Sequence, residues 1–289
     1  MISISVLSSS LSIKSALDSQ LDRFTPVDLN LYKTAYLPES YVSSYSGKTI
    51  YNSEEQIEDS RHPVSYTLET NGYDMNNLKD IIELPIYALP EWTLADSLGD
   101  YYETTKSQYP MLTYDISESI IKISDYNKIA ELYGEEQYTL NDDEYIVLCN
   151  YDQMIEIRNQ MLSNNSNIEI NGKTYHSKYN ECKDGFVFIA TTEINAGIIL
   201  VPDSFEIKAE DTEQYLLVAN YNAETEEGKQ EIENTLIGSG DTEFFENIRD
   251  KGIDLDGSSK ISITESSKGL ATIIIFIAIY LGIVFLIAS

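Results

Sequence analysis

The last stretch of the chain constrains the fold most. From Leu270 to Ala288 the sequence reads LATIIIFIAIYLGIVFLIA, without one charged side chain. As a helix, these roughly 19 residues extend about 28 Å, close to the ~30 Å hydrocarbon thickness of a bilayer. Ile, Leu, Phe and Val fill about 13 of the positions and together favour insertion by roughly 4 to 8 kcal/mol. Thr272, Tyr280 and Gly282 do not offset that. A buried core helix, the competing reading, carries only about 10–14 such residues. The pattern predicts a transmembrane helix over 269–289, with Lys268 and Gly269 at its interfacial end. Ser289 follows at once with no flanking loop, which reads as a cut within a larger membrane protein.

The other end matches it. Leu7, Leu11, Leu17, Leu21 and Phe24 fall near one face of a helix over Met1–Phe24, with Asp18, Asp22 and Arg23 turned away. The first residues, MISISVLSSSLSI, are uncharged but too few to span a bilayer, and they lack the basic start of a signal peptide. They fit the outer end of a membrane helix that continues as a stalk and stops at Thr25-Pro26. The expected organisation is a helix end and stalk over 1–24, an α+β domain over 25–268 and a membrane helix over 269–289.

Charge narrows the partners. With 19 Lys and Arg against 48 Asp and Glu, the formal net charge is −29. Phosphate backbones need the opposite sign, so nucleic acid is excluded as a partner. Such a charge serves either to keep the surface solvated or to draw a cationic partner from a distance. Two cysteines, Cys149 and Cys182, allow one disulfide but neither a disulfide framework nor zinc spacing, and read as free, buried thiols.

Along the domain, Val27–Tyr32 alternates as a half-buried strand, and the Tyr- and Ser-rich stretch to Asn52 is read as irregular. Pro63–Asn71 is a short helix stopped by Gly72. Ile81–Leu89 reads as an edge strand, because Pro85 cannot donate to a ladder. Thr93–Met111 carries little signal. Ile120–Ser124 is a strand, with Ser124 capping a helix over 125–134 whose inner face is Ile129, Leu132 and Tyr133 and whose stop is Gly134. Glu144–Asn150 is a strand and Asp152–Ser163 a helix with Met154, Ile157 and Met161 inward. Strands follow at Ile168–Ile170, Lys173–Tyr179, Phe186–Ala190, Gly197–Val201 and Tyr215–Ala219, with Asn171-Gly172 as a hairpin turn. Helices are expected over Glu224–Leu236 and Phe244–Lys251, with the flexible Gly238-Ser239-Gly240 between them. The sum is α+β with a mixed sheet.

No motif for chemistry stands out. Gly238-Ser239-Gly240 lacks both nucleotide-loop spacings, and neither HExxH nor GxSxG occurs. His62 and His176 lack a Ser or Cys partner at a telling spacing. The acid pairs Asp142-Asp143 and Glu135-Glu136 are expected by chance in so acidic a chain. Asp254–Glu265 imitates a calcium loop, but Ser259 stands where the sharp turn needs Gly, and a turn followed by a strand is the better reading. No catalytic, cofactor-binding, metal or ligand-contact residue is assigned, and the expected protein is not itself an enzyme.

One family does resemble the chain. The junction ESSKGLATIIIFIAIYLGIVFLIAS, the helix ISDYNKIAELYG at Ile123–Gly134 and the start ISVLSSSLSIKSAL are similar to stretches of FtsX-like ABC transporter permeases, nearest to the bacitracin and lantibiotic resistance type. The resemblance is carried by the two membrane ends and one internal helix. It implies ten membrane helices in the whole permease, with a large extracellular domain between the seventh and eighth. This chain then carries the end of the seventh, the domain and most of the eighth. It further implies a separate ATP-binding subunit, a sensor histidine kinase as partner, location in the cell membrane, and a cationic peptide antibiotic or its lipid-linked cell-wall precursor complex as ligand. The alternative is an FtsX-like regulator that recruits a cell-wall hydrolase or another extracellular protein.

Overall fold

The structure is a computed structural model and describes residues 12, 15–35, 53–163, 167–237 and 243–288. Expectations for residues 1–11, 36–52 and 238–240 lie outside the described residues. Chain order runs from α1 (residues 15–24) into β1 (Leu29–Thr34), α2 (Glu54–Ser60), α3 (Val64–Thr70), β2 (Leu78–Thr93), α4 (Leu94–Leu98) and α5 (Tyr102–Gln108). Next come β3 (Ser117–Lys122), α6 (Ile123–Tyr133), β4 (Glu144–Leu148), α7 (Asp152–Leu162), β5 (Asn167–Ile170), β6 (Lys173–Ser177) and β7 (Ile198–Val201). The chain closes with β8 (Thr212–Tyr221), α8 (Glu226–Leu236), α9 (Glu243–Asp250), β9 (Leu255–Ser259) and α10 (Lys260–Ala288).

The fold is α+β around one mixed nine-stranded sheet, in the order β5-β6-β4-β7-β3-β2-β8-β1-β9. β3 and β7 are parallel, as are β4 and β6, and the other neighbours are antiparallel. Continuous apolar runs explain why the central strands are covered on both faces. In β7, Ile198 and Leu200 face one layer while Ile199 and Val201 face the other. In β8, Leu216 and Val218 join the α6 side, whereas Leu217 and Ala219 join a second layer with α3, α8 and α9. α7 and Trp92 close that second face over β3, β4 and β7.

Several sequence expectations are corrected here. β1 is not half-exposed: Asn30 and Lys33 are buried as fully as their apolar neighbours. Lys33 spends its three donors on Asp59 O at 2.6 Å, Asp59 Oδ2 at 3.0 Å and Thr67 Oγ1 at 2.6 Å, pinning β1 to α2 and α3. β2 is interior rather than an edge. β3 joins it only from Tyr87 onward, so Pro85 pairs on the β8 side alone and costs no ladder bond to β3. Ser124 lies inside α6 rather than capping it. Lys122 is the cap position, and Asp203 Oδ1 accepts from the Ser124 N–H at 3.2 Å. Phe186–Ala190 forms no strand but an irregular buried segment. The Asp254–Glu265 stretch is a strand followed by a helix, with Ser259 as the cap: the Ser262 N–H donates to Ser259 Oγ at 3.0 Å. The Asn171-Gly172 turn stands, both residues having positive φ (53° and 75°) between β5 and β6.

The most consequential pairing is β1 with β9. Leu29 pairs with Ser259, so the chain enters and leaves the sheet at one spot. The Lys260 N–H donates to Asp28 O at 2.9 Å, and its ammonium donates to Thr25 O at 3.0 Å. Beneath this junction Glu233 is buried with two hydroxyl donors, Tyr221 and Ser259. The described residues contain no helix long and apolar enough to cross a membrane. The backbone of α10 is helical throughout Lys260–Ala288, while side chains are described for only part of its outer half. Those described include Ile273, Phe276, Ile277, Ile279, Leu281, Ile283 and Val284, all exposed.

Burial raises the Glu233 carboxyl above its ordinary value, more than its two hydroxyl donors lower it. Between the ordinary and the raised value, the folded state keeps a proton that the unfolded chain has lost. Stability from this group is therefore full at acid pH and falls as pH rises, by at most about 1.4 kcal/mol per unit. Urea unfolding between about pH 5 and pH 8 is expected to show this slope in the wild type and to lose it in Glu233→Gln. Parallel profiles for the two proteins would contradict the assignment.

Candidate ligand-binding cleft

The irregular segment 186–197 crosses one face of the sheet and leaves an apolar cleft of about 390 Å³ beneath it. Asn30 and Tyr32 of β1, Ile86 of β2, Ser119 of β3 and Ser258 of β9 line one side. Phe186, Val187, Phe188, Ile189 and Ile194–Gly197 line the other. A mostly apolar hollow with a few polar groups is the usual form of a site for a small or extended ligand. Asn30, Ser119, Asn195 and Ser258 are its uncharged polar groups. Tyr32 is half-buried and packs edge-on to Phe188 at 5.8 Å. Burial, aided by Asp256, pushes its phenol up to about 12, so it stays a neutral donor at physiological pH.

The segment has no ladder to hold it, so side chains do. Asn30 Nδ2 and the Tyr133 hydroxyl both donate to Val187 O, at 3.1 and 2.9 Å. The Ala190 N–H donates to Phe24 O at 3.1 Å, at the end of α1. Gln20 on α1 donates to Thr192 Oγ1 at 3.0 Å and Glu193 Oε2 at 2.8 Å. The wall of the cleft is thus fastened to the helix that leads into the domain. Phe24 stacks obliquely on Phe186 at 5.1 Å, adding an apolar contact along the same line.

The far end is anchored more deeply. Asn195 Nδ2 donates to Leu148 O and Gly185 O, and Asn195 Oδ1 accepts from the Gly197 N–H at 3.0 Å. Its own N–H donates to Asn150 Oδ1 at 2.9 Å. Beside it Arg158 donates to Ala196 O at 3.0 Å and forms a bidentate pair with Glu118, at 2.5 and 2.9 Å. Both partners are about 4% exposed, so neither charge is solvated away from the other. Burial works against the Arg158 charge, yet Glu118 holds it above its ordinary value. Gly197 is required for this fit: its φ is +152°, and a Cβ there would stand 2.1 Å from Arg158 Nη2.

The residues weighed in the sequence do not converge here. His62 stacks on Tyr66 at the end of α2 and lies 3.3 Å from Glu58. His176 sits on β6 with Asp143 at 3.8 Å. Asp142 accepts from Ser204, Glu135 pairs with Arg23, and Glu136 accepts from the Tyr138 hydroxyl. Among the described residues no group of three or more His, Cys, Asp or Glu side chains is placed to hold a metal ion. The cleft itself escaped the sequence, because Phe186–Ile189 has the composition of a strand. One signal was legible: Arg158 falls on the α7 face of Met154, Ile157 and Met161, which marks a buried charge in need of a partner. No protein-family model matches the chain, and no curated protein matches it.

Gly197→Ala is expected to displace Arg158 from Glu118 and to cost about 3 kcal/mol, the scale of a broken buried pair. Guanidinium unfolding monitored by Trp92 fluorescence measures this. A loss under about 0.5 kcal/mol, as at an ordinary surface site, would contradict it.

Proposed function

We propose that this chain is the extracellular ligand-sensing domain of an FtsX-like ABC transporter permease of the bacitracin and lantibiotic resistance type, held in the cell membrane at both ends. The observation that carries the reading is the junction of β1 with β9. It brings α1 and α10 to one spot, while the described apolar side chains of α10, from Ile273 to Val284, are exposed. In water that surface is costly, and a bilayer is the medium that removes the cost. The cleft supports the same reading. Asn30 and Ser258 lie one residue from the junction, and the nine residues Lys260–Lys268 of α10, about 14 Å of helix, separate it from the membrane interface, a distance that an extended ligand spans.

In this reading the ligand is a cationic peptide antibiotic or its complex with a lipid-linked cell-wall precursor. Occupation of the cleft moves the outer part of the wall, Ala190–Ile194, and its bonds to Gln20 and Phe24 pass the displacement to α1. ATP hydrolysis belongs to a separate subunit, and a sensor histidine kinase reads the liganded state. The net charge of −29 supports capture of a cation by long-range attraction.

Two measurements on the full chain test the reading. Flotation with phospholipid vesicles is expected to carry the protein to the top of the gradient, and recovery in the soluble fraction would overturn the tether. Stopped-flow binding of a cationic lantibiotic is expected to slow steeply with salt on the association side, because attraction is screened beyond about 8 Å at physiological ionic strength. Dissociation should change far less. No binding at any salt concentration would overturn the ligand class and favour a role in recruiting an extracellular protein.

A further inference from the structure

Cys149 and Cys182 come together in a way neither the cleft nor the membrane reading uses. Cys149 follows β4 directly, and its N–H donates to Lys183 O at 2.8 Å, while the Lys183 N–H donates to Val147 O at 2.8 Å. Leu148 and Lys183 form a parallel bridge, which puts Cys149 and Cys182 on the same side of the paired backbones. The two thiols perturb each other's titration, and the Cys149 thiol donates to Tyr151 O at 3.9 Å. The two are not equivalent. Cys149 is 2% exposed, whereas Cys182 is half-buried and reachable from solvent. Asn159 Oδ1 accepts from the Cys182 N–H at 2.8 Å and fixes the backbone that carries it. The Arg158 guanidinium acts on both sulfurs.

We propose that Cys149 and Cys182 form a thiol–disulfide exchange site, in which Cys182 attacks a small-molecule disulfide and Cys149 resolves the product into an internal cross-link. The Cys182 thiolate attacks one sulfur of a disulfide R–S–S–R, forming a Cys182–S–S–R bond and releasing one thiolate. Cys149 gives its proton to that thiolate and attacks the Cys182 sulfur, expelling the second R–S⁻, which takes a proton from water. The cysteine pair is oxidised by two electrons and the disulfide is reduced to two thiols. The electrostatics agree with this division of roles. The neighbouring Cys149 thiol, and more weakly the Arg158 charge, hold the Cys182 thiol below its ordinary value, while the neighbouring Cys182 and burial push Cys149 up. The resulting cross-link ties the end of β4 to the backbone just before Gly185, where the wall of the cleft begins.

The test uses the folded full chain equilibrated with oxidised glutathione, quenched in acid, then denatured and treated with a maleimide before intact-mass measurement. The expected product is about 2 Da lighter than the reduced chain and carries neither glutathione nor maleimide. A stable glutathione adduct, two alkylated thiols or a disulfide between two chains would overturn the proposal. Cys149→Ser is expected to stop at a glutathione adduct on Cys182, about 305 Da heavier, and Cys182→Ser to react at least about tenfold more slowly. Faster reaction at Cys149 than at Cys182 would reverse the assigned roles and overturn them. The wild-type mass decides the cross-link whether or not either variant folds.

Discussion

The antiparallel pairing of β1 with β9 is the constraint on which the rest of the arrangement depends. Leu29 opposite Ser259 closes the chain into a loop whose two ends leave together. That closure buries polar backbone at the junction, and each group must be satisfied. Asp28 does most of this: one carboxylate oxygen accepts from Lys229 at 2.9 Å, the other from the Tyr221 N–H at 3.0 Å, and its carbonyl accepts from Lys260. Glu233 holds the hydroxyl of Ser259, which in turn caps α10. The last strand and the last helix are therefore one mechanical piece, set on a buried carboxylate contributed by α8.

How much of this was legible in the sequence depends on the kind of signal. Elements written by local chemistry were read well: Pro63 and Gly72 bracket α3, Gly134 ends α6 with φ +73°, and Asn171-Gly172 makes the β5–β6 turn. The helices over 224–236 and 244–251 were legible from their periodicity. What failed was everything decided by partners distant in sequence. Asn30 looks like an outward-facing position until Val187 arrives to satisfy it, and Lys33, beyond the strand read from the sequence, is buried on Asp59 and Thr67. Ser124 looks like a cap until Asp203 takes the task. Phe186–Ala190 has strand composition, but no neighbouring strand is in register to pair with it. The same limit hid the cleft, since its wall is defined by that missing ladder.

The missing ladder also sets what the wall can do, and the two halves of segment 186–197 differ in kind. The half near α1 is held by Asn30, Tyr133, Ala190 and Gln20 through five hydrogen bonds worth roughly 0.5–1.5 kcal/mol each, or about 2.5–7.5 kcal/mol in all. A ligand of micromolar affinity releases about 8 kcal/mol. Lifting Ala190–Glu193 lies within reach of such a ligand, whereas pulling Phe186, Val187 and Ile189 out of the core adds about 1.5–3 kcal/mol for each side chain. The half at Asn195–Gly197 rests on four Asn195 bonds, three of them buried, and on the Arg158–Glu118 pair, whose disruption alone costs about 3–5 kcal/mol. The segment is accordingly anchored at both ends, by the buried Phe186, Val187 and Ile189 and by Asn195–Gly197, and yields between them, where Gln20 and Phe24 hold it. A ligand that lifts Ala190–Glu193 must loosen Gln20 and Phe24, whereas Phe186, Val187 and Ile189 stay buried in the core, so the displacement runs toward the helix.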